Sequence, residues 1–349
     1  MNATSTDSAT AHSAIAGAAA PQAAAVPVAA PAADAGPLLA RLPVTLFASV
    51  MGLAGLALAW HRVDRSVPFA GEVGATLLVL ATLLFCGLLT VYGAKLMQHR
   101  DAVLAEWEHP IRSALFPAVS ISLLLLAAGW LPFARPLAEG LWLLGTALHL
   151  ALMLAIVHAW ISRPLEWQHA SPAWFIPAVG NVVVPVAGAR LGYLEVSWFF
   201  FATGIGFWLV LLPLVFARLL FAGPLPERLR PMLFVLIPPP AVGFLAYLAL
   251  GGSLDGLARV LYGLALFFAL FLLARAPWFA RVGFALSWWA FSFPLAAITI
   301  ATLTMAERTG LESYRVAGGL LLMLATAVIA LIAWRTASAL ARRDYGILD

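Results

Sequence analysis

Side chains that could do chemistry are scarce in the apolar part of this sequence, and their spacing limits what they can do. His149 and His158 stand in one apolar run, nine residues apart, so on a helix they face different directions. Each is either packed and hydrogen-bonded within a bundle or a group that takes up a proton during transport. Asn181 lies between Pro177 and Pro185, where a bent helix would aim it either into the bend or toward a lumen. Cys86 is the single cysteine and sits in an apolar run, which excludes an intrachain disulfide or a site built from several thiolates. The sequence has no His-Glu-x-x-His, no Gly-x-Ser-x-Gly and no paired aspartates within an apolar run. An enzyme is therefore not expected, nor a metal or other cofactor.

The elements that must position these residues are membrane helices. Of 349 residues, 63% are apolar and 10% charged, a balance that a water-soluble globule of this length cannot hide. Residues 1–40 are rich in Ala and Pro and are expected to be a disordered cytoplasmic tail, because they hold too little apolar surface to offset ordering. They lack the basic start and apolar centre of a signal peptide. Residues 41–340 form the membrane domain, and 341–349 a short cytoplasmic tail. Apolar runs long enough to cross about 30 Å of hydrocarbon recur at 44–61, 73–97, 113–131, 137–161 and 174–190. Five more follow at 196–221, 231–250, 256–274, 281–305 and 314–338. Backbone polar groups must satisfy one another in lipid, so an all-α protein of ten transmembrane helices is expected.

Of the 20 basic residues, 19 are Arg, scattered mostly singly between apolar runs, as in membrane anchoring rather than nucleic-acid binding. Thirteen fall on one side of the implied topology and seven, among them Arg62, Arg190 and Arg308, on the other. The rule that positive loops stay inside places both termini in the cytoplasm of a multi-pass plasma (inner) membrane protein.

Proline alternates along the spans. Pro117 falls in the third, Pro177 and Pro185 in the fifth, Pro238, Pro239 and Pro240 in the seventh and Pro294 in the ninth. The even spans hold only Pro213. A proline inside a helix removes a backbone hydrogen bond and is tolerated where neighbours or a water-lined cavity satisfy the freed carbonyl. An inner ring of kinked odd helices within an outer ring of straight ones meets that condition. Kinked backbone would then supply weak positive potential to a lumen without charged side chains, which suits small anions that lose water easily.

Several stretches carry a resemblance. They are Ser287-Trp288-Trp289-Ala290-Phe291-Ser292-Phe293-Pro294-Leu295 and Gly52-Leu53-Ala54-Gly55-Leu56-Ala57-Leu58-Ala59-Trp60, with His109-Pro110, Phe116-Pro117 and Phe175-Ile176-Pro177-Ala178-Val179. Through them the chain resembles the tellurite-resistance and C4-dicarboxylate transporter family, of the slow-anion-channel type. That resemblance implies five pseudo-symmetric helical hairpins around a central pore, usually in a homotrimer, with Phe293 as the pore gate. It implies gated passage of small inorganic anions or dicarboxylates across the bilayer. The alternative is proton-coupled or specific export of a C4-dicarboxylate, sulfite or tellurite, with His149 or His158 as the protonated group. Relatives often carry a proline before a Leu-Gly pair in the first span, whereas this chain has Val50 before Met51-Gly52, so a straighter first helix is expected.

Overall fold

The computed structural model describes residues 37–63 and 67–342, and every regular element among them is helical. The two expected tails lie outside these residues, apart from a helical turn at Leu38–Arg41 and the end of the last helix. Ten helical spans among the described residues are long and apolar enough to cross a membrane. They are α1 (Val44–His61), α2 (Ala70–Gln98), α3 (Arg112–Trp130), α4 (Arg135–Ser162) and α5 (Pro172–Leu191), then α6 (Leu194–Phe221), α7 (Glu227–Ala249), α8 (Gly256–Ala274), α9 (Leu286–Thr309) and α10 (Glu312–Ala341).

Each odd span pairs with the even span that follows it, giving five hairpins. The odd spans also pack on one another in sequence, and α9 returns to α1, so they close a ring. Burial separates the two sets. Between 67% and 89% of the apolar window of each odd span is buried, against 22% to 39% for the even spans. An outer face carrying Leu83, Leu154, Phe267 and Leu320 in the open is what a helix bathed in lipid requires.

Every odd span is built in two parts. A 3-10 segment leads and an α-helix follows: Val44–Leu46 then Phe47–His61, Arg112–Leu115 then Pro117–Trp130, and Pro172–Trp174 then Phe175–Leu191. The last two are Glu227–Leu236 then Pro238–Ala249, and Leu286–Phe291 then Ser292–Thr309. Here the structure differs from the expectation of kinks. Pro117, Pro177, Pro239 and Pro294 all stand in the first turn of an α-helix, and only Pro185 lies inside the α-helical part of an odd span. The first turn has no intrahelical partner for its N–H groups, so proline costs nothing there, while its ring disfavours helix in the residue before it. These four prolines therefore mark where an α-helix begins rather than where one bends. The first span has the same construction although its α-helix contains no proline, since Pro43 precedes its 3-10 turn.

Candidate functional site

The ring of odd spans encloses two cavities on its axis, each lined by residues from all five odd spans. The narrow one, about 50 Å³, lies toward the 3-10 ends and is lined by Met51, Ile121, Val179, Val235 and Phe293, with no charged side chain. The wide one, about 360 Å³, lies toward the C-terminal ends, where Leu58, Leu125, Val183, Val242 and Ala297 give way to a charged rim. Phe293 is the one described residue that lines both.

Local structure places that ring. Phe293 is the second residue of the α-helical part of α9, with Pro294 behind it. On one side it meets Gly55 of α1, where a methyl group would stand 3.3 Å from Phe293 Cδ2 and 3.0 Å from Ala296 Cβ. One turn earlier, a methyl on Gly52 would fall 2.3 Å from Ser292 Oγ. The two glycines thus let α1 lie close along α9, the kind of small-residue seam by which membrane helices approach. That is the structural content of the glycine-rich stretch in the first span.

The rim of the wide cavity carries three guanidinium groups: Arg62 at the end of α1, Arg190 in the last turn of α5 and Arg308 in the last turn of α9. Arg62 is paired with Glu307 at 2.7 Å. Arg190 and Arg308 have no ion pair among the described residues, and the end of α5 is itself held by Arg135, which donates to the Leu191 carbonyl at 3.0 Å. Cations at helix C-termini also offset the negative end of the helix dipole. The expectation of a lumen without charged side chains is corrected here, because the formal positive charge on the axis belongs to arginines at one mouth. The backbone contribution is smaller than expected, since the Phe116, Trp174 and Ile237 N–H groups are taken by carbonyls of the 3-10 turns.

A family model described as the voltage-dependent anion channel matches residues 41–337. This chain belongs to that family. Among curated relatives of the anion-channel family, it is 33% identical over 279 residues to the S-type anion channel SLAH3 of Arabidopsis thaliana, covering 77% of this chain and 44% of the relative. It is 29% identical over 283 residues to the guard cell S-type anion channel SLAC1 of the same plant, covering 78% and 51%. It is also 29% identical over 260 residues to the tellurite resistance protein TehA homolog of Haemophilus influenzae, covering 74% and 79%. The chain thus spans about half the length of the plant relatives it matches.

Within this anion-channel fold, most of the other residues singled out from sequence lie off the axis. Asn181 is fully buried but lines neither cavity, and it faces α6, where Gly204 leaves room for it. Its Nδ2 donates to the Pro177 carbonyl at 2.8 Å, while its Oδ1 has no hydrogen-bond partner among the described residues. The lumen-facing reading of Asn181 is corrected, since its side chain lines neither cavity. His149 reaches from α4 into the seam between α3 and α5, with Nδ1 2.9 Å from Ser120 Oγ and Nε2 3.0 Å from the Pro177 carbonyl. A carbonyl only accepts, so Nε2 carries the hydrogen. His158 is exposed on the outer ring beside Ser162. Neither histidine lines the conduit. Of the named prolines, Pro294 lines the narrow cavity, as does Pro238, whereas Pro117, Pro177, Pro185 and Pro239 pack behind it.

Proposed function

We propose that this chain lets small anions cross the membrane along the axis of the odd-span ring, with Phe293 as the plug. The observation that carries the reading is that one aromatic ring stands between two cavities lined by the same five spans. An ion entering at the wide mouth meets positive charge first and an apolar constriction second. Anions are drawn in, and those with tightly held water are slowed at the constriction, because apolar walls return little of the desolvation cost. The names of the S-type anion channel relatives agree with this class of substrate. Both termini lie in the cytoplasm by the thirteen-to-seven count of basic residues, so the arginine mouth faces outward across the inner membrane. Assembly as a homotrimer is inferred from the resemblance.

The test is Phe293→Ala in the purified protein, read as chloride and nitrate efflux from liposomes. Removing the ring should raise efflux at least about tenfold, equivalent to about 1.4 kcal/mol off the barrier. Unchanged efflux from a variant that folds and inserts normally would remove Phe293 as the plug.

A further inference from the structure

We propose that the arginine mouth is a binding site for doubly charged oxyanions, which occupy the wide cavity and obstruct singly charged ions without themselves passing Phe293. The inference rests on the anion-transport reading and adds a second ligand class at the same conduit. Three observations support it.

The first is charge. Arg62, Arg190 and Arg308 line one cavity, no carboxylate lines it with them, and only Arg62 has a described acidic partner. Two formal positive charges, on α5 and α9, are left facing the same space. Two point charges favour one divalent ion over two monovalent ions, because a single bound ion then satisfies both.

The second is shape. Guanidinium presents a planar fork of donors that matches the oxygens of sulfate or a carboxylate, which a halide cannot use in the same way. Arg62 Nε is buried without a hydrogen-bond partner among the described residues, so the rim holds donor capacity beyond its pairing with Glu307. The cavity, about 360 Å³, has room for a tetrahedral oxyanion such as sulfate with some of its water.

The third is the contrast with the far side of Phe293. That cavity is about 50 Å³ and has no charged lining. The cost of moving an ion out of water grows with the square of its charge, so a divalent ion held at the rim meets a far higher barrier at the constriction than chloride does. The rim binds what the constriction refuses.

The experiment measures chloride efflux from liposomes containing the full chain with sulfate added on both sides, and in parallel the melting temperature of the detergent-solubilised protein as sulfate is titrated at constant ionic strength. Sulfate should inhibit chloride efflux and raise the melting temperature. Arg190→Gln and Arg308→Gln should each raise the half-inhibitory sulfate concentration about tenfold and flatten the melting shift. Glu307→Gln, which frees Arg62, should lower that concentration about threefold. Equal inhibition in wild type and both arginine variants overturns the proposal, as does sulfate crossing as fast as chloride. If no chloride efflux is seen from any variant, the transport reading fails. A sulfate-dependent melting shift lost in both arginine variants would still establish the site, and a shift that both retain would remove it.

Discussion

A single buried ion pair fixes where the first pore helix begins, and breaking it should be among the most destabilising conservative changes available. Lys95, the only lysine, lies near the end of α2 and is 1% exposed; Glu106, on the short helix Arg100–Glu108, is 6% exposed. Lys95 Nζ donates to Glu106 Oε1 and, at 2.8 Å, to the Leu42 carbonyl. Glu106 Oε2 accepts from the Val44 N–H at 3.0 Å and the Tyr92 hydroxyl at 3.1 Å. The carboxylate therefore holds the first residue of α1. Glu106→Gln keeps the shape but has one acceptor oxygen, so its NH2 is set either against the Lys95 ammonium or against the Val44 N–H, and the buried ammonium loses its counter-charge. Removing one partner of a buried pair costs about 3–5 kcal/mol, and the one acceptor that Gln retains puts this case near the lower figure. At roughly 2–4 °C per kcal/mol for a chain of this order, the melting temperature should fall by about 6–12 °C. Adding Lys95→Met removes the stranded charge and should recover more than half of that loss. The assay is thermal melting of solubilised protein followed by intrinsic fluorescence. A Glu106→Gln variant melting within about 1 °C of wild type, or a double variant less stable than the single one, would refute this account.

Two further outcomes follow from local geometry. Gly55→Ala places a methyl 3.0 Å from Ala296 Cβ and 3.3 Å from Phe293 Cδ2, so α9 and the Phe293 ring must both give by a few tenths of an ångström. Resting efflux should fall, and the change should vanish in a Phe293→Ala background; the same change in both backgrounds would mean that the methyl acts on helix packing instead. His109 accepts the Ile111 and Arg112 N–H groups through Nδ1 at 3.1 and 3.2 Å, and its pKa is lowered by partial burial, then by Arg112 and His169. The folded state thus prefers neutral His109, so its stabilisation is complete above the ordinary value of 6.5 and is lost as pH falls below it. Acidification from pH 7.5 to 5.5 should lower the melting temperature less in His109→Asn, whose side-chain oxygen can accept the same N–H groups without titrating; an equal drop in both would exclude His109 as a source.

The ten spans were legible because length and apolarity suffice to define them: the second was expected over 73–97 and runs Ala70–Gln98, the tenth over 314–338 and runs Glu312–Ala341. The inner ring was legible from proline, since the odd spans that carry it are the buried ones. What proline does there was not legible. Pro294 in a first turn and Pro185 in a helix interior read alike in a sequence, because the difference lies in whether the preceding residues close 3-10 or α hydrogen bonds. The arginine mouth was missed for another reason. In the sequence Arg62, Arg190 and Arg308 mark only topology, and their sharing one cavity depends on closure of α9 onto α1, a contact between distant parts of the chain. The signal that could have found them is positional, since all three sit at the C-terminal end of an odd span. The bridge from His149 to Ser120 and Pro177 was invisible for the same long-range reason.

The contrast between Phe291 and Phe293 bears on the plug proposed above. Phe291 closes the 3-10 segment of α9 and is locked by rings on several elements: Phe234 at 4.7 Å, Phe279 at 5.7 Å and Trp288 at 5.9 Å. Such edge-to-face packing is worth about 0.5–1.5 kcal/mol per pair beyond burial, so this end of the span is anchored to α7 and to the short helix Ala276–Ala280. Two residues later Phe293 makes no aromatic pair among the described residues and lines a cavity on each side, with Gly55 of α1 beside its ring edge. A ring in the place of Phe291 would need to break several aromatic contacts to move, whereas Phe293 has none of these to break. The junction between the two halves of α9 therefore joins a fixed segment to a side chain with room to move. In an inner ring otherwise closely packed, that combination at the axis is found where the two cavities meet.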